Sequence, residues 1–169
     1  MFKVGQAVVH PAHGPGEIVK IKTLSTLGSG KEYYSIRLLD GSETEVWVPV
    51  QNAQEQGLRP PVKKSHLREI WRRLRAQPED LPSDHQRRYE VVREKLETGQ
   101  LVSIAEAIRD LSWKDYTVRA LTSEGKRLFD KGVRMLTTEV ALVRGSEPET
   151  VQTKISRVLD ESMSQHKTD

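Results

Sequence analysis

The amino-acid sequence predicts an α+β protein made of two segregated domains, a small N-terminal Tudor-like or SH3-like β-barrel and a C-terminal all-α bundle of about five helices. Short apolar runs separated by turn residues fill the first 50 positions, and helical periodicity begins near residue 65. The linker Gly57–Pro61 lies between the two patterns. Because runs of strands followed by runs of helices favour separate domains, we place the domains at 1–60 and 61–169.

The N-terminal part contains short apolar runs of strand length, namely Ala7–Val9, Ile18–Ile21, Tyr33–Leu38 and Val46–Val48. Glycine-containing turns separate them, at His13–Gly16, Gly28–Gly30 and Asp40–Gly41. Asp-Gly is a strong hairpin signal. Four or five short strands are too few for a sandwich, so a small barrel is the predicted closure.

Alternation within Glu43–Val50 assigns side chains to the two faces of the last strand. Glu45 and Trp47 fall on one face, and Val46 and Val48 fall on the other. The two valines fit a small core, which predicts that Trp47 points outward. The alternative is a buried Trp47 with exposed valines, since tryptophan is usually buried.

Five helices are predicted from apolar residues spaced three and four positions apart. Their stripes include Leu67, Ile70, Trp71 and Leu74; Tyr89, Val92 and Leu96; Ile104, Ile108 and Leu111; Phe129, Val133, Leu136 and Val140; and Val151, Ile155, Val158 and Leu159. Predicted N-terminal caps are Ser65, the capping box Ser83/Gln86 and the capping box Ser103/Glu106. Predicted ends are Gly99 and Gly145, and Pro148 lies in the first turn of the last helix. Spacing also predicts surface ion pairs, Glu90 with Arg93 and Asp110 with Lys114.

Charge is distributed unevenly, although the net charge is only +3. Residues 1–60 contain six basic and six acidic side chains, so the whole excess lies downstream. Lys63 to Arg75 holds six basic residues against the single acid Glu69. Such a field can hold polyanions, although a solvated helix face is the commoner meaning of such a run.

Catalytic and cofactor signatures are missing from the sequence. There is no cysteine, no phosphate-binding glycine loop between a strand and a helix, and no Gly-x-Ser-x-Gly elbow. His10 and His13 flank a turn, where packing explains them better than a metal does. We therefore expect a non-enzymatic protein without cofactor or metal. Without an apolar leader or a membrane-length apolar stretch, we also expect a cytoplasmic, nucleoid-associated monomer.

Two clusters have the character of a nucleic-acid contact. Arg87 and Arg88 lie in the first turn of a predicted helix, where backbone N–H groups and the helix dipole also favour phosphate. Lys126 and Arg127 lie at the start of the long helix. Neither cluster suggests base reading, so the predicted role is phosphate positioning. Arginine-rich helix starts also occur on ordinary protein surfaces.

An ordered set of segments spans nearly the whole chain: Phe2–Gly14, Glu45–Ala53, Gly57–Arg59, Arg87–Tyr89, Glu94–Gly99 and Arg109–Leu111. Together and in this order they resemble the CarD/CdnL family of bacterial transcription regulators. The resemblance implies a Tudor-like domain, also present in the transcription-repair coupling factor, that binds the β subunit of RNA polymerase. It further implies a helical domain that contacts promoter DNA at the upstream edge of the melted region and modulates open-complex stability.

The chain departs from the family pattern at three positions. Leu24 and Trp47 stand where some members offer basic polymerase contacts, so with Glu45 they predict a more apolar polymerase-binding surface. His85 stands where members place a tryptophan that wedges into the DNA minor groove. With Arg87, Arg88, Lys126 and Arg127, it completes the predicted DNA-binding set. The alternative function is a CarD-like adaptor that binds another protein through the barrel without touching promoter DNA.

Overall fold

The computed structural model describes residues 1–25, 30–119 and 121–167, and it confirms the predicted α+β class. The chain forms two compact units, Met1–Pro61 and Val62–Asp169. The first contains an antiparallel sheet and the second contains five α-helices. In the predicted turn Gly28–Gly30, Gly28 and Ser29 lie outside the described residues.

The sheet is a meander of four strands in the order β1-β2-β3-β4, and every neighbouring pair is antiparallel. The strands are β1 Ala7–His10, β2 Gly14–Leu24, β3 Lys31–Leu38 and β4 Glu45–Pro49. At the outer edge of β1, Val9 and Arg59 exchange backbone hydrogen bonds of 2.7 and 3.2 Å. The segment that leaves the unit therefore covers part of an edge that would otherwise be unpaired.

The first turn differs from the predicted one. Gly14–Gly16 belongs to β2, and the turn itself consists of residues 11–13. Gly16 pairs with Leu38 of β3, and a Cβ at Gly16 would lie 2.4 Å from Ile36 Cγ2. The glycine is thus required for close packing between strands, a role that the sequence does not distinguish from turn formation.

The core of the sheet unit comes from inward-facing side chains of all four strands and from the segments before β1 and after β4. It consists of Phe2, Val8, Ile18, Tyr34, Ile36, Val48, Ala53 and Leu58, with Val46 and Val50 partly buried against it. The Tyr34 hydroxyl accepts a 3.0 Å hydrogen bond from the Phe2 backbone N–H. This bond satisfies the polar end of a buried aromatic ring and fixes the start of the chain.

The described residues of the second unit form five α-helices, as predicted: α1 Leu67–Arg75, α2 His85–Glu97, α3 Leu101–Val118, α4 Ser123–Arg144 and α5 Pro148–His166. The predicted stripes form one core, in which Phe129 and Val133 are only partly buried. Gly99 and Gly145 follow α2 and α4 with left-handed backbone at φ 64° each, and Pro148 begins α5. Within the described ranges, no helix is both long and apolar enough to cross a lipid bilayer.

Helix starts were predicted less accurately than helix ends. Ser65 lies inside a short 3-10 turn, Lys64–His66, that precedes α1. Asp84, rather than Ser83, caps α2 by accepting a hydrogen bond from the Arg87 backbone N–H. Ser103 caps nothing, because α3 already begins at Leu101. A serine three residues before Glu or Gln also fits within a helix, so the motif alone does not locate the start.

Neither of the predicted surface ion pairs forms. The side chain of Asp110 is 0 % exposed and contacts Arg109 and Lys95 instead of Lys114. Arg93 pairs with Glu124 of α4 rather than with Glu90. The spacing rule considers only residues three or four positions apart on one helix. Here the partners are the adjacent residue Arg109 and residues of other helices, Lys95 of α2 and Glu124 of α4.

His10 makes the stability of the sheet unit sensitive to pH. Burial, with a smaller effect of His13 at 4.8 Å between ring centroids, lowers the pKa of His10 to about 4. The neutral ring accepts a hydrogen bond from Ala12 N–H at Nδ1. Because the folded-state pKa lies below the unfolded value, stability is full above about pH 6.5 and falls as the pH drops towards 4.

We predict that the unit loses about 1 kcal/mol through His10 between pH 7 and pH 5, after allowance for partial exposure of the ring. His10→Asn keeps an acceptor for Ala12 but does not titrate in this range, so its stability should depend less on pH. Urea unfolding followed by the Ile36 methyl NMR signal would measure this, with His66→Asn as the control. An unchanged pH dependence in His10→Asn would contradict the assignment.

Candidate protein and nucleic-acid interfaces

One face of the sheet carries Leu24, Glu45 and Trp47 together, as the alternation predicted. Trp47 of β4 pairs with Ser35 of β3, and Ser35 pairs with Lys20 of β2. Leu24 lies further along β2, where it pairs with Lys31 of β3. Trp47 is 37 % exposed, whereas Val48 is buried and Val46 packs against the core. The outward orientation predicted for Trp47 is confirmed, and a buried Trp47 is excluded. We call this surface the outer sheet face.

The charged ends of two lysines lie close to the Trp47 ring. Lys20 Nζ lies 5.8 Å and Lys22 Nζ 5.2 Å from the ring centroid. Both distances are within the range of cation–π attraction. The outer sheet face therefore combines an exposed aromatic ring with a basic border, which adds positive charge to the more apolar surface that the sequence predicted.

Glu45 is held in place by three neighbours. Ser35 Oγ donates a 2.8 Å hydrogen bond to it, Lys20 Nζ lies 3.5 Å away and Arg37 lies 3.9 Å away. The Ser35 hydrogen bond, aided by Lys20 and Arg37, lowers the pKa of Glu45 below its ordinary value. The carboxylate thus stays charged and fixed beside Trp47, with its orientation decided before any partner arrives.

The helical unit presents its candidate nucleic-acid residues at the starts of α2 and α4. His85 is the first residue of α2, is exposed, and lies 6.3 Å from Tyr89 between ring centroids. Arg88 Nη1 lies 3.4 Å from His85 Nδ1. A guanidinium can only donate, so this contact favours the tautomer with Nδ1 as acceptor and leaves Nε2–H as a donor.

Arg88 is not available for phosphate, contrary to the prediction that it faces DNA. The residue is 2 % exposed, and its guanidinium donates to the Pro82 carbonyl at 2.9 Å and to the Ser83 carbonyl at 2.6 Å. It fixes the loop before α2 and so positions Asp84 and His85. Arg87, on the next position of the same turn, is exposed.

Tyr89 ties the start of α4 to α2. Its hydroxyl accepts hydrogen bonds from Thr122 N at 3.1 Å and from Thr122 Oγ1 at 2.9 Å. Thr122 in turn caps α4 by accepting from Gly125 N–H. A Cβ at Gly125 would lie 2.6 Å from the Tyr89 hydroxyl oxygen, so only glycine permits this approach. Lys126 and Arg127 follow immediately and are exposed.

Sequence reasoning missed residues that position the sites rather than contact a partner. Strand register decides that Lys20 and Lys22 lie near Trp47 and that Arg37 lies near Glu45. The sequence does not predict this register. Asp84 is a good helix cap by residue type, and its place before a helical stripe was a signal that Ser83 obscured. No pattern in the sequence predicts that the Tyr89 hydroxyl of α2 accepts hydrogen bonds from Thr122 at the start of α4.

Comparison with known proteins gives two family matches and a relative. Residues 2–62 match the CarD-like/TRCF RID domain, an RNA polymerase-interacting domain, and residues 69–156 match the CarD C-terminal domain. The protein named "Putative transcription factor YdeB" from Bacillus subtilis (strain 168) is 28 % identical over 145 residues. That alignment covers 86 % of this chain and 94 % of the relative.

Proposed function

The chain belongs to the CarD family of transcription regulators, and from this we propose that it binds the β subunit of RNA polymerase and contacts promoter DNA to modulate open-complex stability. Residues 1–60 would bind the polymerase, and residues 61–169 would contact DNA. The family is not enzymatic, in agreement with the prediction from sequence. The observation that carries the proposal is the RNA polymerase-interacting domain with Trp47 exposed on its sheet.

The outer sheet face has the composition of a protein-binding surface. An exposed tryptophan at the centre of a patch is the typical residue that supplies most of the binding energy. Lys20 and Lys22 lie near its ring, Arg37 lies beside Glu45, and Leu24 adds an exposed apolar side chain on β2. We infer that Trp47 inserts into an apolar pocket of the β subunit and that the basic border sets the orientation.

The proposed DNA surface consists of His85, Arg87, Lys126 and Arg127. The described side chains are exposed, and two of them follow the Tyr89 bond that ties α4 to α2. Arg88 supports this surface from inside and does not belong to it. Binding should be weak and indifferent to sequence, because these side chains offer phosphate contacts and little direct reading of bases.

His85 replaces the wedge tryptophan that the resemblance implies. An indole inserted at a base step gains more apolar and stacking contact than an imidazole does. His85 instead offers a donor at Nε2 to a base edge or a phosphate oxygen. We therefore infer that this protein stabilises an open promoter complex less than a relative with tryptophan at this position.

Replacement of Trp47 tests the polymerase surface. Trp47→Ala should abolish retention of RNA polymerase, because the anchor is lost, while the free energy of unfolding changes by less than about 1 kcal/mol. Val48→Ala is the matched control on the inner face, and it should cost about 1–3 kcal/mol yet keep polymerase binding in the folded protein. Retention of polymerase by Trp47→Ala would refute the proposed anchor.

The dependence of DNA affinity on salt tests the proposed phosphate contacts. Each contact adds about 0.9 to the slope of log affinity against log salt, so Arg87→Ala combined with Lys126→Ala should flatten the slope by about 2. Lys3→Ala combined with Lys31→Ala removes the same charge elsewhere and should leave the slope unchanged. Equal slopes in all three proteins, together with normal polymerase binding, would favour the adaptor alternative.

A third experiment tests His85 in a complete promoter complex. His85→Trp should lengthen the lifetime of the open complex, because the indole gains contact at the base step, and His85→Ala should shorten it. Lifetimes are measured by competitor challenge after polymerase binding has been verified for each variant. Identical lifetimes in the wild type and both variants would show that His85 only covers Tyr89.

A further inference from the structure

A basic cavity lies where α4 ends and α5 begins. Its volume is about 520 Å³, and it is lined by Arg144, Ser146, Thr150, Val151, Thr153, Lys154 and Arg157. Arg144 ends α4, whereas Lys126 lies near its start, 18 residues earlier. At 1.5 Å per residue the two ends are about 27 Å apart, so this cavity is separate from the proposed DNA surface.

The positive charges in the cavity are poorly compensated. None of the described residues that line it is acidic, and neither Arg144 nor Lys154 forms an ion pair with a described residue. Arg157 has only a long contact of 3.9 Å with Glu161, and both side chains are largely exposed. Burial, followed by the nearby charges of Arg144, Arg75 and Arg157, lowers the pKa of Lys154. Like charges therefore converge here at a cost to the folded protein.

One hydrogen-bond donor in the same cavity also lacks a partner. Ser146 Oγ is shielded from solvent and makes no hydrogen bond to any described residue. No side chain caps the start of α5, and Thr150, in its first turn, lines the cavity. A hydroxyl without a partner is costly when it is buried, and an incoming oxygen acceptor would satisfy it.

Packing explains the position of one of the three basic side chains, but it does not explain why all three lie close together. Lys154 Nζ lies 4.1 Å from the centroid of the Trp71 ring, where it gains cation–π attraction and covers α1. Arg144 and Arg157 are exposed and pack against no ring among the described residues. Their convergence on Lys154 needs another reason.

We propose that this cavity is a binding site for a compact, multiply charged phosphate compound. Arg144, Lys154 and Arg157 would neutralise it, and the Ser146 hydroxyl would donate to one of its oxygens. Guanidinium groups suit phosphate because two N–H groups can donate side by side. The concave shape favours a small anion, and a DNA backbone phosphate is the other source of the same chemistry.

Isothermal titration of the full chain with inorganic pyrophosphate tests the site. Arg144→Gln combined with Arg157→Gln removes two charge-assisted contacts and should weaken binding by about 100-fold. Lys3→Gln combined with Lys31→Gln removes equal charge at positions outside both proposed phosphate-binding surfaces and should leave pyrophosphate affinity within about twofold. No binding to the wild type, or an equal loss in both variants, would overturn the proposal.

Thermal unfolding separates a ligand site from a structural role. Without pyrophosphate, the Arg144→Gln/Arg157→Gln variant should not have a lower Tm, because it relieves like-charge repulsion. A clear drop in its Tm would mean that the arginines support the fold, and would count against the site. Titration with a short DNA duplex distinguishes the sources: parallel loss of duplex affinity identifies backbone phosphate, and unchanged affinity identifies a free phosphate compound.

Discussion

The buried carboxylate of Asp110 is the interaction on which the arrangement of the helical unit depends. It accepts hydrogen bonds from the Glu79 backbone N–H at 3.0 Å and from Arg109 Nε at 2.8 Å, forms an ion pair with Arg109 Nη2 at 2.7 Å, and lies 3.3 Å from Lys95 Nζ. Removing a charge from water is expensive unless such contacts surround it. Because the partners come from α3, α2 and the loop after α1, the cost is recovered only when all three are correctly placed.

This constraint extends from the interior to the candidate DNA surface. Arg109 Nη1 donates to the Arg73 carbonyl near the end of α1, and Asp110 holds Glu79 in the loop that follows. Arg88 then binds the carbonyls of Pro82 and Ser83, where the same loop enters α2. The loop from α1 to α2 is thus fixed at both ends by buried charges. This internal network holds the loop that leads into His85 and Arg87, in addition to their own contacts with Arg88 and Asp84.

Sequence patterns correctly predicted the features that depend on a single strand or a single helix. Period-two alternation placed Trp47 outside and Val48 inside, and the helical stripes gave all five helices, because side-chain direction follows directly from backbone geometry. The same reasoning failed for Arg88 and Asp110, which it placed on the surface. Their burial depends on carbonyls and cations from other segments, which no spacing rule contains. The register that surrounds Trp47 with Lys20 and Lys22 is tertiary information of the same kind.

Helix stability does not explain why basic residues lie at the starts of α2 and α4. The N-terminal end of a helix carries partial positive charge, so cations there are mildly unfavourable and acids are favourable. The first turn of α2 contains no acid and carries Arg87, and α4 has Lys126 and Arg127 close behind its single first-turn acid, Glu124. Glu124 is itself paired with Arg93. Folding alone would favour the opposite charges at these positions, so they fit the DNA contact proposed above, in which a phosphate backbone would meet the cations and the positive ends of the helices together.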